Sequence, residues 1–417
     1  MDRAIKIVSL LAAFLLFASC TGIKTESDSG GTPTNGQDIF SEQLGVAESE
    51  DNPRREIVCA VWISYIDIAE MVTADKKAFD EQLVKVTKNL LSIGVSDIYL
   101  QVRAFGETLY TSELFPSSEL IYSDQSKEID YLKCFIDAAH SAKIRLHAWV
   151  NPYRLGDITS SGYAVLAERL RALDEFAIVT DPDGGSYINP ASDPARDAII
   201  EDITALCTAY DIDGVQFDDY FYPSDDTEID ERQYTVYKES GGQLELEAWR
   251  RENVSSLVRG VCEAVHASGE DRVFGVSPDA SIERNQSRHF ADVQKWCTQS
   301  GFVDYICPQI YYGYANQTRP FTSVLAEWKE LCTSCDLVVG LSAYKAGMPD
   351  AFAGSGSAEW QENFDIISRQ YAEVATDSEI SGVAIFRYGS FFNPAQETSA
   401  FANLELYELR KTIDKER

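Results

Sequence analysis

The chain has 417 residues, 45% of them hydrophobic, 11% aromatic and 25% charged, enough for one barrel-sized core or two ordinary domains. Its formal net charge of −31 excludes a nucleic-acid partner, because phosphate binding needs a basic face. The same charge argues against a peripheral grip on anionic lipid headgroups.

The first segment, "MDRAIKIVSLLAAFLLFASC", places Arg3 and Lys6 ahead of an apolar run over 7–18 that is short for a membrane span. Small residues then precede Cys20. The pattern resembles a bacterial lipoprotein signal over 1–20, with Cys20 as the lipid attachment residue. An ordinary signal peptide with an incidental cysteine is the alternative. "TGIKTESDSGGTPTNGQ" follows, rich in Gly, Ser, Thr and Pro, and reads as a flexible tether over 21–53. Its 33 residues give a typical reach of about 30 Å. The reading is a membrane partner through a lipid anchor, in the cell envelope, either on the outer side of the cytoplasmic membrane or in the periplasm or outer membrane.

From residue 54 to 417 the chain alternates strand-like and helix-like segments. "IVCAVWISY" leads to a helix over 77–93, "SDIYLQVRA" to one over 128–142, and "IRLHAWVNPYR", after a long interval, to one over 194–210. "DGVQFDDY" leads, after a second long interval, to a helix over 244–267, and "RVFGVSP" to one over 290–298. "VDYICPQIYY", "LVVGLSAY" and "SGVAIFRYG" precede helices over 324–332, 359–375 and 394–409. Eight apolar strands, each followed by a helix, predict an α/β fold with a parallel sheet covered on its outer face. Its closed form is a (β/α)8 TIM barrel with long βα loops after strands 3 and 4. A doubly wound open sheet is the runner-up, but no GxGxxG follows any strand.

In such barrels chemistry gathers where the strands end. The residues at those ends are polar and aromatic: Tyr65, Gln101, Arg103, Trp149, Asn151, Tyr153 and Arg154 in the first half of the chain. Asp218, Asp219, Tyr220, Asp279, Gln309, Tyr311, Tyr344, Arg387 and Tyr388 follow in the second. Flat rings cover the apolar faces of sugars, while amides and carboxylates address their hydroxyls. The expected substrate-binding set is Tyr65, Arg103, Trp149, Asn151, Arg154, Tyr220, Gln309, Tyr311 and Arg387. Arg103, Arg154 and Arg387 would offset the chain's acidity toward an anionic glycan.

Other chemistries find little support. Of the four histidines, His140 and His266 fall on predicted helices and His147 inside a strand, as structural residues would. No GxSxG and no metal-spaced His/Asp set is present. Most cysteines fit buried single thiols. "CTSC", with Cys332 and Cys335, lacks a second CxxC or a His cluster nearby, so no metal and no cofactor are expected.

The pair Asp218–Asp219 is the sharpest signal. Successive strand side chains point to opposite faces, so Asp218, in phase with Gln216, points inward, and Asp219 joins it only if the strand breaks there. The aromatic run and Pro223 make room for such a break. Two carboxylates held close cannot both ionise freely, so one pKa rises. The raised acid can protonate a glycosidic oxygen while its ionised neighbour stabilises an oxocarbenium-like transition state. The competing role is capping of loop N–H groups. "DGVQFDD" is also near the DGxDxDxE signature of chitinase-like barrels, through Asp213, Gly214 and Asp218, but Tyr220 stands where that signature has its Glu. Adjacent Asp pairs serve other acetamido-sugar hydrolases, in which the substrate's N-acetyl group attacks, one Asp orients its N–H and the other acts as acid.

"VWISY", "YLQVRAFGETLYTSELFP", "HAWVNPYR", "YINPASDPARDAI", "DGVQFDDYFYP", "FGVSP", "VDYICPQIYYGY" and "FRYGSFF" together resemble the bacterial family-10-like glycosyl hydrolase lipoproteins, over nearly everything after Arg55. The resemblance implies a (β/α)8 barrel in the cell envelope that hydrolyses glycan, with a divisome-localised member acting on peptidoglycan strands stripped of their stem peptides. It implies Asp218 and Asp219 as the functional acids, with Arg103, Asn151, Gln309 and Tyr311 lining the groove. Asp279, after "FGVSP", has no expected counterpart there. The expected partner is a polysaccharide. Two alternatives are a hydrolase of poly-N-acetylglucosamine type polymers and a non-catalytic glycan-binding lipoprotein.

Overall fold

In a computed structural model, residues 40, 43–44, 57–119, 129–156, 158–159 and 161–416 are described. Eight strands, β1 (Val58–Ile63), β2 (Asp97–Arg103), β3 (Arg145–Val150), β4 (Gly214–Phe217), β5 (Val273–Val276), β6 (Tyr305–Ile306), β7 (Asp336–Ser342) and β8 (Gly382–Phe386), form a closed barrel. Every strand pairs parallel with its sequence neighbours, and β8 closes onto β1. The fold is the expected (β/α)8 barrel.

Strand alternation divides the apolar residues into two shells. One parity, including Val61, Ile63, Leu100, Leu146, Val215 and Ile385, packs outward beneath the helices. The other parity, with Ala60, Trp62, Tyr99, Trp149, Tyr305, Val338 and Ala384, fills the barrel. Filling it needs a small residue opposite each large one. At Gly275 a Cβ would overlap the Tyr305 ring, so only glycine fits.

The barrel floor is polar but satisfied. His147 bonds Asp97 at 3.1 Å and the Tyr305 hydroxyl at 3.0 Å, and Arg145 pairs with Asp97 at 2.8 Å. His147 is the structural histidine its strand position suggests. Asp213 also lies at this end: it accepts the Leu146 N–H at 2.7 Å and meets His140 at 2.9 Å. Its part in the chitinase-like match is therefore structural, at the far end of β4 from Asp218.

Local chemistry explains where helices depart from expectation. The predicted 290–298 helix begins only at Val293, because Phe290 has φ +50° and Asp292 caps the first turn through the Lys295 N–H. The predicted 359–375 helix divides into Glu359–Glu362 and Ile366–Ala375. Glu405, buried on the final helix, accepts the N–H groups of Ile366 and Ile367 at 2.9 and 3.1 Å and starts the second piece afresh.

Cys20, the signal over 1–20 and most of the tether lie outside the described residues. Phe40 is buried in the hydrophobic core and Leu44 packs against it. At those positions the stretch read as tether is part of the domain.

Both long insertions are tied down. After β3, a hairpin of Ile178–Thr180 and Ser186–Ile188 pairs with the strand's continuation, where Leu155 donates to Ser186 O at 3.0 Å and Ile188 to Tyr153 O at 2.8 Å. After β4, Arg250 on the helix Leu246–Ser268 reaches into the insertion and pairs with Asp230, both side chains essentially inaccessible to solvent. The same guanidinium donates to the carbonyls of Asp225 and Asp226. Removing Asp230 would strand a buried cation, which costs about 3–5 kcal/mol. Asp230→Ala is expected to lower unfolding stability in urea by that amount, and a loss below about 1 kcal/mol would show that the pair is not what anchors the loop.

Candidate active site

β4 ends at Phe217, and the chain turns at once: the Asp219 carbonyl accepts the Phe221 N–H at 3.0 Å. Phe221 and Tyr222 are buried outward against Trp296 and Phe290. This anchored turn supplies the break that Asp219 needs. Asp218, buried and in phase with Gln216, points into the mouth and accepts the Trp149 indole N–H at 3.1 Å. It also accepts the Tyr220 backbone N–H at 3.3 Å, so part of the capping role is present too. Asp219 is half-buried, with the Gln309 side chain and Asp279 both close enough to act on it.

The electrostatics follow from this placement. Burial, then the charge of Asp219, push the Asp218 carboxyl well above the usual aspartate range, against the Trp149 hydrogen bond that lowers it. Burial pushes Asp219 up to about 6, reinforced by Asp279 and opposed by Gln309 and Arg154. Two neighbouring carboxyls that resist ionisation together form a unit holding one proton over a range of pH. Asp279 is bound by the Ser281 N–H at 2.7 Å and by Arg284 at 3.2 Å, so it shapes the field from the side.

Rings and amides surround the pair. Phe386 touches Trp62, Trp149, Tyr311 and Tyr344, with centroids 5.9 to 6.3 Å apart. On the other flank the Arg154 guanidinium lies over Tyr220 at 4.5 Å and over Phe105 at 4.4 Å, and Phe105 meets Tyr65 edge-on at 5.1 Å. A relay sets the amides: the Tyr65 N–H donates to Gln101 Oε1 at 2.9 Å, and Gln101 Nε2 donates to Asn151 Oδ1 at 2.9 Å. Asn151 Nδ2 is then left buried without a protein partner. Gln309 is held by the Ser277 carbonyl at 3.1 Å, and Lys345 fixes the Tyr311 carbonyl at 2.7 Å. A 370 Å³ cavity opens over the ends of β5 to β7, lined by Asp279, Gln309, Tyr311 and Lys345 among others. A second, of 330 Å³, opens over β1 and β2 beside Tyr65, Gln101 and Phe105.

Tyr65, Trp149, Asn151, Arg154, Tyr220, Gln309 and Tyr311 thus gather with the two acids at the mouth. Arg103 and Arg387 do not. A bulge in β2 between Gln101 and Arg103 puts Arg103 in register with outward-facing Val150. Its guanidinium is buried against Asp202 at 3.0 Å and over the Phe115 ring at 4.0 Å. Arg387 is committed to buried Asp67, which also accepts the Gly389 N–H, so it ties β8 to the segment after β1. Trp62 and Phe386 were missed. Both share the parity of inward-facing neighbours, Ala60 and Ala384, and that signal would have found them.

The glycosyl hydrolase-like 10 family model matches residues 57–355. The chain belongs to that family. The glycosyl hydrolase DigH of Escherichia coli strain K12 is 27% identical over an alignment of 433 positions, covering 95% of each chain. The glycosyl hydrolase YngK of Bacillus subtilis strain 168 is 29% identical over 312, covering 69% of this chain and 60% of that one. Among solved structures, the PgaB (BpsB) glycoside hydrolase domain from Bordetella bronchiseptica matches with TM-score 0.56 at 13% identity, covering 84% of this chain and 99% of that one. The exo-β-N-acetylglucosaminidase from Vibrio harveyi matches at 0.52 and 12%, over 87% and 55%. These two share the barrel fold. This glycosyl hydrolase-like 10 member is accordingly a glycoside hydrolase.

A carboxyl whose pKa is raised on folding stabilises the native state most below its ordinary value, here 3.8, and that contribution is lost as the pH rises through about 6. Asp219→Asn removes the loss. Scanning calorimetry at about pH 4 and about pH 8 is expected to show the variant's melting temperature gaining on that of the native protein at the higher pH; a pH-independent difference would contradict the raised pKa.

Proposed function

We propose that this protein cleaves N-acetylated cell-envelope glycan, foremost peptidoglycan strands stripped of their stem peptides, and that Asp218 and Asp219 carry the chemistry. The observation that carries the reading is the adjacent pair itself, two desolvated carboxyls at the mouth of the barrel with no distant nucleophile needed. Aromatic faces beside them suit pyranose rings, and the open Asn151 N–H and the Gln309 amide suit hydroxyl and acetamido groups.

The roles divide by environment. Asp219 is the more accessible and has a pKa of about 6, close to the pH at which a group can both give and regain a proton. We assign it as the acid. Asp218 is deeper and held by Trp149. When a substrate acetamido N–H donates to Asp218, its anionic form is favoured and the shared proton rests on Asp219. Asp219 then protonates the leaving oxygen as the C1–O bond breaks, and the acetamido carbonyl oxygen bonds C1. Water opens that intermediate and returns its proton to Asp219.

Arg154 is the one of the three arginines first expected at the rim that remains there, and it supports an anionic glycan such as one bearing lactyl carboxylates. The lipid anchor on Cys20 and the envelope location belong to the same proposal, supported by the apolar run and the small residues before that cysteine. The alternative substrate, a poly-N-acetylglucosamine polymer, would use the same acetamido chemistry and no fixed anion.

The test is incubation with amidase-treated peptidoglycan, intact peptidoglycan and chitin oligomers, read by mass spectrometry. Cleavage is expected on the amidase-treated strands, and cleavage of none of the three would favour a binding protein. Asp219→Asn is expected to lose about 10²–10⁴-fold on glycan, and far less on an aryl glycoside whose leaving group needs no proton. Asp218→Asn should lose on both. Full turnover of glycan by Asp219→Asn would reject the assignment of the acid.

A further inference from the structure

At the end of the barrel opposite the mouth, three cysteines distant in sequence meet. Cys297 is the buried, penultimate residue of the short helix Val293–Thr298, and Cys332 and Cys335 bracket the loop that feeds β7. Their sulfur atoms all lie within 4.8 Å of one another.

Backbone bonds hold this arrangement without help from the thiols. The N–H groups of Thr333 and Ser334 both donate to the Cys297 carbonyl, at 3.0 and 2.9 Å, wrapping the CTSC turn around the helix end. The Cys332 N–H closes the preceding helix through Trp328 O at 3.0 Å, and the Asp336 N–H, just after Cys335, bonds Asp304 O at 2.9 Å. Both sides of the cluster are therefore positioned by main chain, as a preformed ligand set requires.

The surroundings choose between two uses of such a cluster. A redox-active or nucleophilic cysteine sits in an electropositive environment that favours its thiolate. Here the charged neighbours bearing on Cys335 are the carboxylates Asp336 and Asp304. Lys329, on the helix leading into the turn, is held by Asp377 and Glu379. Three converging sulfurs flanked by carboxylates form a pocket favourable for a cation. We propose that Cys297, Cys332 and Cys335 bind one thiophilic d10 cation, Zn²⁺ or Cu⁺, which cross-links the end of the 293–298 helix to the entry of β7.

The fit needs little movement. With metal–sulfur bonds of about 2.3 Å, tetrahedral ligand sulfurs stand about 3.8 Å apart, so each pair closes by at most about 1 Å. Binding exchanges thiol protons for the cation and releases them to solvent. Cys332 and Cys335 are half-buried, which leaves an open side where a water could complete a zinc site. Three thiolates alone suffice for Cu⁺. The N-terminal end of such a barrel serves stability rather than chemistry, so the cation is a brace.

The experiment uses the full chain, reduced and handled without oxygen, with Zn²⁺ alone in one arm and Cu⁺ alone in the other. Elemental analysis after gel filtration is expected to find one cation per chain in at least one arm. Calorimetry should show a rise in melting temperature of about 3–8 °C in excess metal, reversed by a chelator. Cys335→Ser and Cys332→Ser, both at half-buried positions, should lose the uptake and the rise while keeping glycan turnover. Failure of uptake in both arms, equal uptake by the variants, or a Cys332–Cys335 disulfide in protein isolated without reductant would each overturn the proposal. None of these outcomes depends on the identity of the glycan.

Discussion

Keeping two like-charged carboxyls side by side, largely out of water, is the constraint that organises this protein. Burial and mutual repulsion both disfavour the doubly ionised state, and only a rigid frame can hold the groups together against them. The frame is visible around β4. Trp149 on one neighbouring strand donates to Asp218, and Gln309, beyond the other neighbour, addresses Asp219. Phe221 and Tyr222 anchor the turn behind them, and the Arg250–Asp230 pair holds the insertion that follows.

The interior of the barrel extends that frame downward. Trp62 donates to Gln216 at 2.7 Å, one inward-facing position below Asp218, and the Tyr65–Gln101–Asn151 relay fixes which end of each amide faces the mouth. These groups are costly to bury unless bonded, and most of them are. Asn151 Nδ2 and Gln216 Nε2 are left open. A site that strains the fold at its mouth is then offset by the apolar shell beneath the helices and by the satisfied polar floor around Asp97, His147 and Tyr305.

Most of the barrel was legible in the sequence because its signal is periodic. Apolar strands, each followed by an amphipathic segment, leave few architectures open. The inward placement of Asp218 followed from parity alone. Arg103 was misread for a physical reason: one extra residue in β2 inverts the parity beyond Gln101 and turns the side chain outward to Asp202, and the sequence "YLQVRA" carries no mark of that bulge. Arg387 finds Asp67 across the seam that closes the barrel, 320 residues away in the chain, a separation no local pattern reports. Cys297 was overlooked because CTSC was weighed with its sequence neighbours, whereas the third sulfur arrives from the preceding βα unit. Patterns of period two and 3.6 are readable along the chain; contacts made by closure are not.

If the proton shared by Asp218 and Asp219 is the working element, its titration is the direct test. Carbon-13 NMR of the aspartate carboxyls, assigned with Asp218→Asn and Asp219→Asn, should show the pair losing protons in two coupled steps, both above the ordinary 3.8 and one of them near about 6. Ionisation of both carboxyls near 3.8, independently of each other, would contradict the account at its root.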